Sequence, residues 1–316
     1  MANRDMTTDL RSLSPQQEAN INRYRDLIQD WQGFKDALSQ PLPKVIWINR
    51  GRGEFEEILE EEGWGQEWFE PLTWHDQAYR VRRDLPLGQS LSYRLGLFHI
   101  QEEVSMLPPY LLNPRPFERI LDLCAAPGNK TMQLALAMEQ TGTLIANDLK
   151  PKRLSSLKIA ADRLGITNLG YTAMDGRYFP KTDPFDRILA DVPCSSEGTV
   201  RKNPRVLDHN MKPHRPFADG VQLGLLKRAI QLCKPGGRIV YSTCSFRPEE
   251  NEWVIHKALQ GGAVELETSQ IPGFETDPGL TRWGSEEFSQ DLKMCHRIWP
   301  HLNDSGGFFI ACLRKT

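Results

Sequence analysis

Two cysteines stand where apolar runs open into polar turns: Cys194 in LADVPCSSEG and Cys244 in YSTCSFRPEENE. A thiolate is a strong nucleophile, but an ordinary thiol ionises at a pKa of ~8.5 and needs electropositive or helix-end surroundings to act near neutrality. Two thiols at two strand ends suggest a shared pocket, and covalent catalysis through sulfur splits one hard step into easier ones. The other cysteines read differently. Cys233 and Cys312 fall in apolar patterns and are expected as small core hydrophobes. Cys295 beside His296 lacks the second pair a metal corner needs, and with no CxxC in the chain no metal is expected.

A second constellation surrounds DLCAAPGNKT, residues 122–131. Gly128 permits tight backbone passage, and free amides at the start of the following helix can hold an anion. Neither GxxxxGK[ST] nor GxGxxG occurs, which disfavours a phosphate loop and a dinucleotide. A carboxylate, such as the methionine end of S-adenosylmethionine, suits this turn. Asp148 ends the next strand, where a carboxylate can accept both hydroxyls of a ribose. Asp175, at the end of the third, is placed to accept from an adenine amino group. The competing reading makes Asp148 and Asp175 turn or cap residues, a role aspartate favours in any case.

The elements that must position these groups follow from periodicity. From Arg119 onward, strands alternate with helices: RILDLC, TMQLALAMEQ, TGTLIANDL, RLSSLKIAADRL, LGYTAMDG, FDRILADVP, DGVQLGLLKRAIQLC and RIVYSTCS. Asp219 is expected to cap the last helix and the Pro-Gly-Gly of KPGG to end it. GGFFIACLRK reads as an antiparallel edge strand. This pattern predicts a doubly wound α/β sheet over residues 116–316, with ligands at the carboxyl ends of its strands. Residues 15–115 read as a small α+β accessory domain and residues 1–14 as a flexible terminus. In the accessory part, EANINRYRDLIQDWQGFKDAL predicts a helix presenting Ile21, Tyr24, Leu27, Ile28 and Trp31, KVIWIN a strand, and GEFEEILEEEGW a helix with a solvated glutamate face.

A formal charge of −2 over 316 residues gives no global sign of nucleic-acid binding, so any such surface must be local. GTVRKNPRVLDHNMKPHRP supplies one, with Arg201, Lys202, Arg205, Lys212 and Arg215 against Asp208. Its place beyond Cys194 suits phosphate contacts near a reacting base, and a solvated loop is the alternative. No apolar run approaches the ~18 residues of a membrane span, so the chain is expected to be cytoplasmic, with its thiols reduced.

DLCAAPGNKT, ADVPCSSEGTVRKNP and YSTCSFRPEENE, with IQEEVSMLP upstream and RIWPH…GGFFIA at the end, resemble the RNA (cytosine-C5) methyltransferases of the Nol1/Nop2/Sun family, RsmB/NOP type. The resemblance covers nearly the whole chain from about Arg23. It implies a Rossmann-like methyltransferase sheet, S-adenosylmethionine as cofactor and RNA as partner, ribosomal by preference and transfer RNA otherwise. It makes Cys244 the nucleophile and Cys194 the residue that helps release product. Cys124, Ala125, Ala126, Pro127, Gly128, Asn129 and Lys130 would line the cofactor pocket, completed by Asp148, Asp175 and Asp191, with Arg153 as a further contact. Asp191 would also face the base.

The chemistry fits this inventory. Cytosine C5 is too poor a nucleophile to take a methyl group from a sulfonium, whereas thiolate addition at C6 makes it an enamine carbon. A protonated Asp191, its pKa raised by burial, would draw charge towards N3. The target base must leave its stack to admit the thiol, which favours an RNA loop or bulge. Two departures are visible: Asn129 stands where a second glycine is usual, which its tolerance of unusual backbone angles should accommodate, and Ser196 stands where a glycine is common. A DNA cytosine-C5 methyltransferase attacking through Cys194, and a non-catalytic RNA-binding assembly factor on the same fold, are the alternatives.

Overall fold

The strand Phe185–Asp191 carries Ile188, Leu189 and Ala190 in succession, all fully buried. Only a strand covered on both faces accommodates such a run. Its neighbours repeat the pattern, with Ile120, Leu144, Leu189 and Val240 in one apolar cluster and Leu121, Ile188 and Ile239 in another. Adjacent residues point to opposite faces of a strand, so helices must cover both sides. Asn129–Ala137 and Pro151–Leu164 bury their apolar residues in the first cluster, and Leu223–Leu232 and Glu252–Leu259 in the second.

The computed structural model describes residues 13–208 and 217–316. The expectations for residues 1–12, and for Lys212 and Arg215, lie outside the described residues. An antiparallel four-stranded sheet comes first: β1 (Lys44–Ile48), β2 (Phe69–Leu72), β3 (His75–Val81) and β4 (Phe98–Ile100), in the order β2-β3-β1-β4. The helix Phe55–Glu62 joins its core through Phe55 and Ile58.

The central sheet contains β5 (Arg119–Asp122), β6 (Thr143–Asn147), β7 (Leu169–Thr172), β8 (Phe185–Asp191) and β9 (Cys233–Thr243) in the parallel order β9-β8-β5-β6-β7. The order reverses between β5 and β8, and at such a switch point a crevice opens beyond the strand ends. Short strands follow: β10 (Val264–Leu266), β11 (Asp277–Pro278), the hairpin β12 (Arg282–Trp283) and β13 (Glu286–Glu287), β14 (His296–Ile298) and finally β15 (Phe308–Lys315). β15 runs antiparallel to β9 as expected, with β14 and β10 pairing along its outer side, so it is not itself the outermost strand.

Three local expectations need correction. The single helix read across residues 18–38 is broken into Pro15–Asn22, a 3-10 turn and Trp31–Leu38. Tyr24 turns inward to donate to Glu197 at 2.6 Å, and the Asp30 side chain caps a fresh helix start at Gly33. These helices contribute to a core shared with Val200, Leu207, Phe246 and Trp299. Asp219 does not cap: it lies within a π-turn, Ala218–Gln222, that precedes Leu223–Leu232. Finally, the helix ends at Leu232, and the Pro-Gly-Gly already belongs to β9.

Candidate active site

Cys244 follows the last residue of β9, and Cys194 lies just beyond the end of β8. Because these strands are parallel neighbours, Asp191 pairing with Ser242 in register, their ends deliver both thiols to one place. The two sulfurs are 3.4 Å apart. Both cysteines are partly buried. The hydrogen bond from the Cys194 thiol holds Cys244 below the ordinary thiol value; burial and Asp191 oppose this, while Ser196 and the Lys130 ammonium add to it. Cys194 is pushed well above the ordinary value by the same hydrogen bond, by burial and by the charge of Glu250. The two shifts run in opposite directions, Cys244 towards easier ionisation and Cys194 towards harder.

The loop beyond Cys194 is pinned at several points. Gly198 N donates to the Cys244 carbonyl at 2.9 Å, and Gly307 N donates to the Gly198 carbonyl at 2.8 Å. A Cβ on Gly198 would lie 2.1 Å from the Gly307 oxygen, so only glycine lets the loop pass the residue before β15 this closely. Gln222, in the π-turn, donates to the Pro193 carbonyl at 2.9 Å. Ser196 sits at φ 62°, ψ 20°, the left-handed region that glycine occupies without strain.

Asp191 is placed beside the thiols, but not as the expected donor. Both of its oxygens accept: Oδ2 from Lys130 Nζ and Oδ1 from Ser242 Oγ, each at 2.7 Å. Burial alone would lower the Lys130 ammonium, yet the charge and hydrogen bond of Asp191 leave it above the ordinary lysine value. The carboxyl that burial lifts is Asp122, to about 7, despite a 2.7 Å hydrogen bond from Thr131 Oγ1. Asp122 Oδ1 has no hydrogen-bond partner among the described residues. Asp122 lines the same cavity as the cofactor turn but was not among the expected residues, although its place at the end of β5 was a signal for it.

Most of the residues expected at the cofactor turn line one cavity. A cavity of about 50 Å³ is lined by Asp122, Cys124, Ala125, Ala126, Pro127, Asn129, Lys130 and Asp191, with Ser105 from the preceding helix. Burial, then the nearby aspartates, pushes the Cys124 thiol well up, which makes it a wall and not a nucleophile. Gly128 has φ 112°, and a Cβ there would meet Leu157 at 2.7 Å. Asn129 is helical and does not use its backbone tolerance; its Oδ1 meets His99 Nε2 at 3.1 Å, while Arg163 meets His99 Nδ1 at 2.6 Å. Burial lowers His99 to about 4, so the neutral ring takes the tautomer that donates to Asn129.

Asp148, buried at the end of β6, accepts from Ala126 N at 3.3 Å and from Lys150 N at 2.9 Å, and pairs with Arg153 at 3.0 Å. Arg153 also donates to the Ala126 carbonyl and so spans the turn. Asp175 caps the turn Gly176–Tyr178 and is gripped by Arg177, with Nη2 at 2.6 Å; that hydrogen bond holds its carboxyl below the usual range. The cap reading of Asp175 thus holds in this arrangement.

Arg201 requires a correction. It is buried, and its guanidinium donates to the carbonyls of Gln40, Pro41 and Ser305 and pairs with Asp304 at 2.7 Å. Buried charges persist when they are paired and hydrogen-bonded, so Arg201 ties the loop to two other segments and is not free for phosphate. Lys202 and Arg205 are exposed. His296, beside Cys295, has both ring nitrogens engaged, by the Ser269 and Thr276 hydroxyls at 2.8 and 2.9 Å.

Comparison with known proteins agrees with this geometry. The family described as 16S rRNA methyltransferase RsmB/F matches residues 109–314. A tRNA (cytosine(49)-C(5))-methyltransferase from Pyrococcus abyssi is 38% identical over 300 residues, covering 93% of this chain and 95% of that protein. A ribosomal RNA small subunit methyltransferase F from Shewanella loihica is 39% identical over 296 residues, 89% of this chain, which spans only 58% of that relative's length. Among solved structures, a methyltransferase homolog protein from Pyrococcus horikoshii superposes with a TM-score of 0.79 at 30% identity, over 96% of this chain and 100% of that one. With two thiols and an Asp–Lys pair at the switch point of a doubly wound sheet, and with these relatives, the chain belongs to the RsmB/F family of RNA (cytosine-C5) methyltransferases.

Proposed function

We propose that this protein methylates C5 of a cytosine in ribosomal RNA, using S-adenosylmethionine and a covalent bond between Cys244 Sγ and C6 of the base. The observation that carries the reading is the pair of sulfurs 3.4 Å apart with opposite shifts, Cys244 towards thiolate and Cys194 towards thiol. Attack through Cys194, as in the DNA-type alternative, would start from the thiol that is harder to ionise.

The residues at the strand ends fit the cofactor. Asp122, whose Oδ1 is orphaned, would accept from its ammonium, Asp148 from its ribose once Arg153 yields, and Asp175 from its base once Arg177 yields. The cofactor supplies an electrophilic methyl group on a sulfonium centre. Cys244 thiolate adds to C6, and the C5=C6 electron pair moves to C5=C4, leaving charge at N3. The Lys130 ammonium, held by Asp191, meets that charge in place of a protonated aspartic acid. C5 then takes the methyl group. Finally Cys194, its own proton lost to solvent once Cys244 is a thioether, takes the C5 proton, the C5–H pair re-forms C5=C6 and Cys244 departs as thiolate. Lys202, Arg205 and the N-terminal region would carry the RNA backbone.

Transfer RNA is the second reading, favoured by the 38% identity to the tRNA enzyme over nearly its full length. Mapping 5-methylcytosine at single-nucleotide resolution in total RNA, with and without the protein, tests both. Loss at a ribosomal position is expected; loss confined to transfer RNA selects the second reading, and no loss overturns the proposal.

A further inference from the structure

We propose that Glu250, acting through Ser195 and Ser245, is a positioning clasp that holds Cys194 against Cys244 for the release step. The inference rests on the reading of Cys244 as attacker and Cys194 as proton acceptor. Each active cysteine is followed directly by a serine, and those two serines meet: Ser195 Oγ and Ser245 Oγ are 2.8 Å apart. The Glu250 carboxylate closes the clasp. It accepts from Ser195 Oγ at 2.8 Å and from Ser195 N at 3.1 Å on each oxygen. Glu250 is 1% exposed, and hydrogen bonds to a buried carboxylate are among the strong ones.

The clasp is itself anchored. Tyr241, inside β9, donates from its hydroxyl to the Glu250 carbonyl at 2.6 Å. Asn251 takes a hydrogen bond from Thr243 Oγ1 at 2.6 Å and donates to the Ser245 carbonyl at 2.9 Å. The segment carrying Glu250 is therefore fixed to the strand that carries Cys244. The loop carrying Cys194 is joined to it across the sheet by the Glu250 side chain and by the Gly198–Cys244 backbone bond. Ser196, the next residue after Ser195, is in the left-handed region, so the loop holds a shape its own backbone disfavours. The hydrogen bonds of Ser195, the residue preceding it, oppose relaxation.

Release is the step that needs this spacing. Once Cys244 is a thioether, the Cys194 proton passes to solvent. The Cys194 thiolate then takes the C5 proton, the C5–H pair closes C5=C6, and the C6–S pair leaves with Cys244. Attack on C6 depends on Cys244, whose ionisation Ser196 and Lys130 favour along with the Cys194 hydrogen bond. Release depends on Cys194 itself taking the proton and so falls more steeply when the loop shifts. A displacement of about 1 Å costs roughly 100-fold in rate.

The test uses the full chain with total RNA from cells lacking the protein and methyl-tritiated S-adenosylmethionine. It follows first-turnover methyl transfer and the denaturation-resistant protein–RNA adduct. Glu250→Ala should accumulate adduct at least about ten-fold over the unchanged chain while first-turnover transfer changes less than about three-fold. Glu250→Gln keeps an acceptor oxygen for Ser195 and should restore release; a general loss of structure would depress both readouts and would not be rescued. Should Glu250→Ala fail to fold, the double variant Ser195→Ala, Ser245→Ala removes the serine contacts and should trap adduct too. Normal release by the variant that folds, or a glutamine variant as impaired as the alanine one, overturns the clasp. Cys194→Ala is the control. If it traps no adduct, the covalent reading itself fails and takes the clasp with it; if it traps adduct and the clasp variants do not, only the clasp is lost.

Discussion

Cys194 and Cys244 occupy nearly the same position in two neighbouring parallel strands, each just past the apolar run and each followed by a serine. Their surroundings nevertheless push them in opposite directions. Cys244 faces the Lys130 ammonium, the Ser196 hydroxyl and a thiol that donates to it. Cys194 faces the Cys244 sulfur and the Glu250 carboxylate. A shared strand-end setting supplies proximity. On the proposed mechanism, the charge beside each sulfur, brought by other segments, separates attacker from assistant.

The largest expected break of this contrast is Cys244→Ala, which should reduce methyl transfer to background while cofactor binding, measured by calorimetry, persists. Retained turnover would assign attack to the wrong sulfur. Cys194→Ala should slow turnover by about 100-fold, the scale of a lost proton-transfer group, and should leave adduct visible on a denaturing gel. Unchanged turnover with no adduct would remove Cys194 from the reaction.

Lys130→Met should sharpen the contrast through pH. Activity that needs a thiolate rises with pH through the pKa of Cys244 and then levels. Lys130 helps to hold that pKa below the ordinary thiol value, so removing its charge should move the rising limb to higher pH, about ten-fold in rate below the limb for each unit moved. A limb that stays in place would mean that the ammonium does not act on Cys244. The smallest effect is expected of Ser196→Gly. Relieving a left-handed serine should stabilise the chain by about 1 kcal/mol, read as a small rise in Tm. Losing the hydroxyl should at the same time raise the Cys244 thiol pKa, read by alkylation rate against pH. Stability and thiolate character moving in the same direction would refute that role for Ser196.

Much of this was legible in the chain because each signature segment contains its own strand, turn and flank. DLCAAPGNKT encodes the end of β5, a turn that needs Gly128, and the start of a helix, so its residues come to one cavity by local folding. Arg201 was misread for the opposite reason. A run of charges in a loop looks solvated until another part of the chain covers it, and here the carbonyls of Gln40, Pro41 and Ser305 do so. The partners of Asp191 were equally hidden: Lys130 lies 61 residues away and Ser242 lies 51 away. Tyr24 shows the same override on a helix, since its inward hydrogen bond to Glu197 spans 173 residues.

From the order of its residues alone, the chain determined the parallel sheet, the reactive groups placed at its strand ends and the family they mark. Apolar periodicity and turn chemistry act over a few residues and can be read in a line. Tertiary structure alone decided which sulfur is inclined to ionise, which basic residue is buried and what holds the Cys194 loop in place. Those outcomes depend on charges and hydrogen bonds between segments far apart in sequence, and such forces act only at distances of a few ångströms, which the folded chain creates.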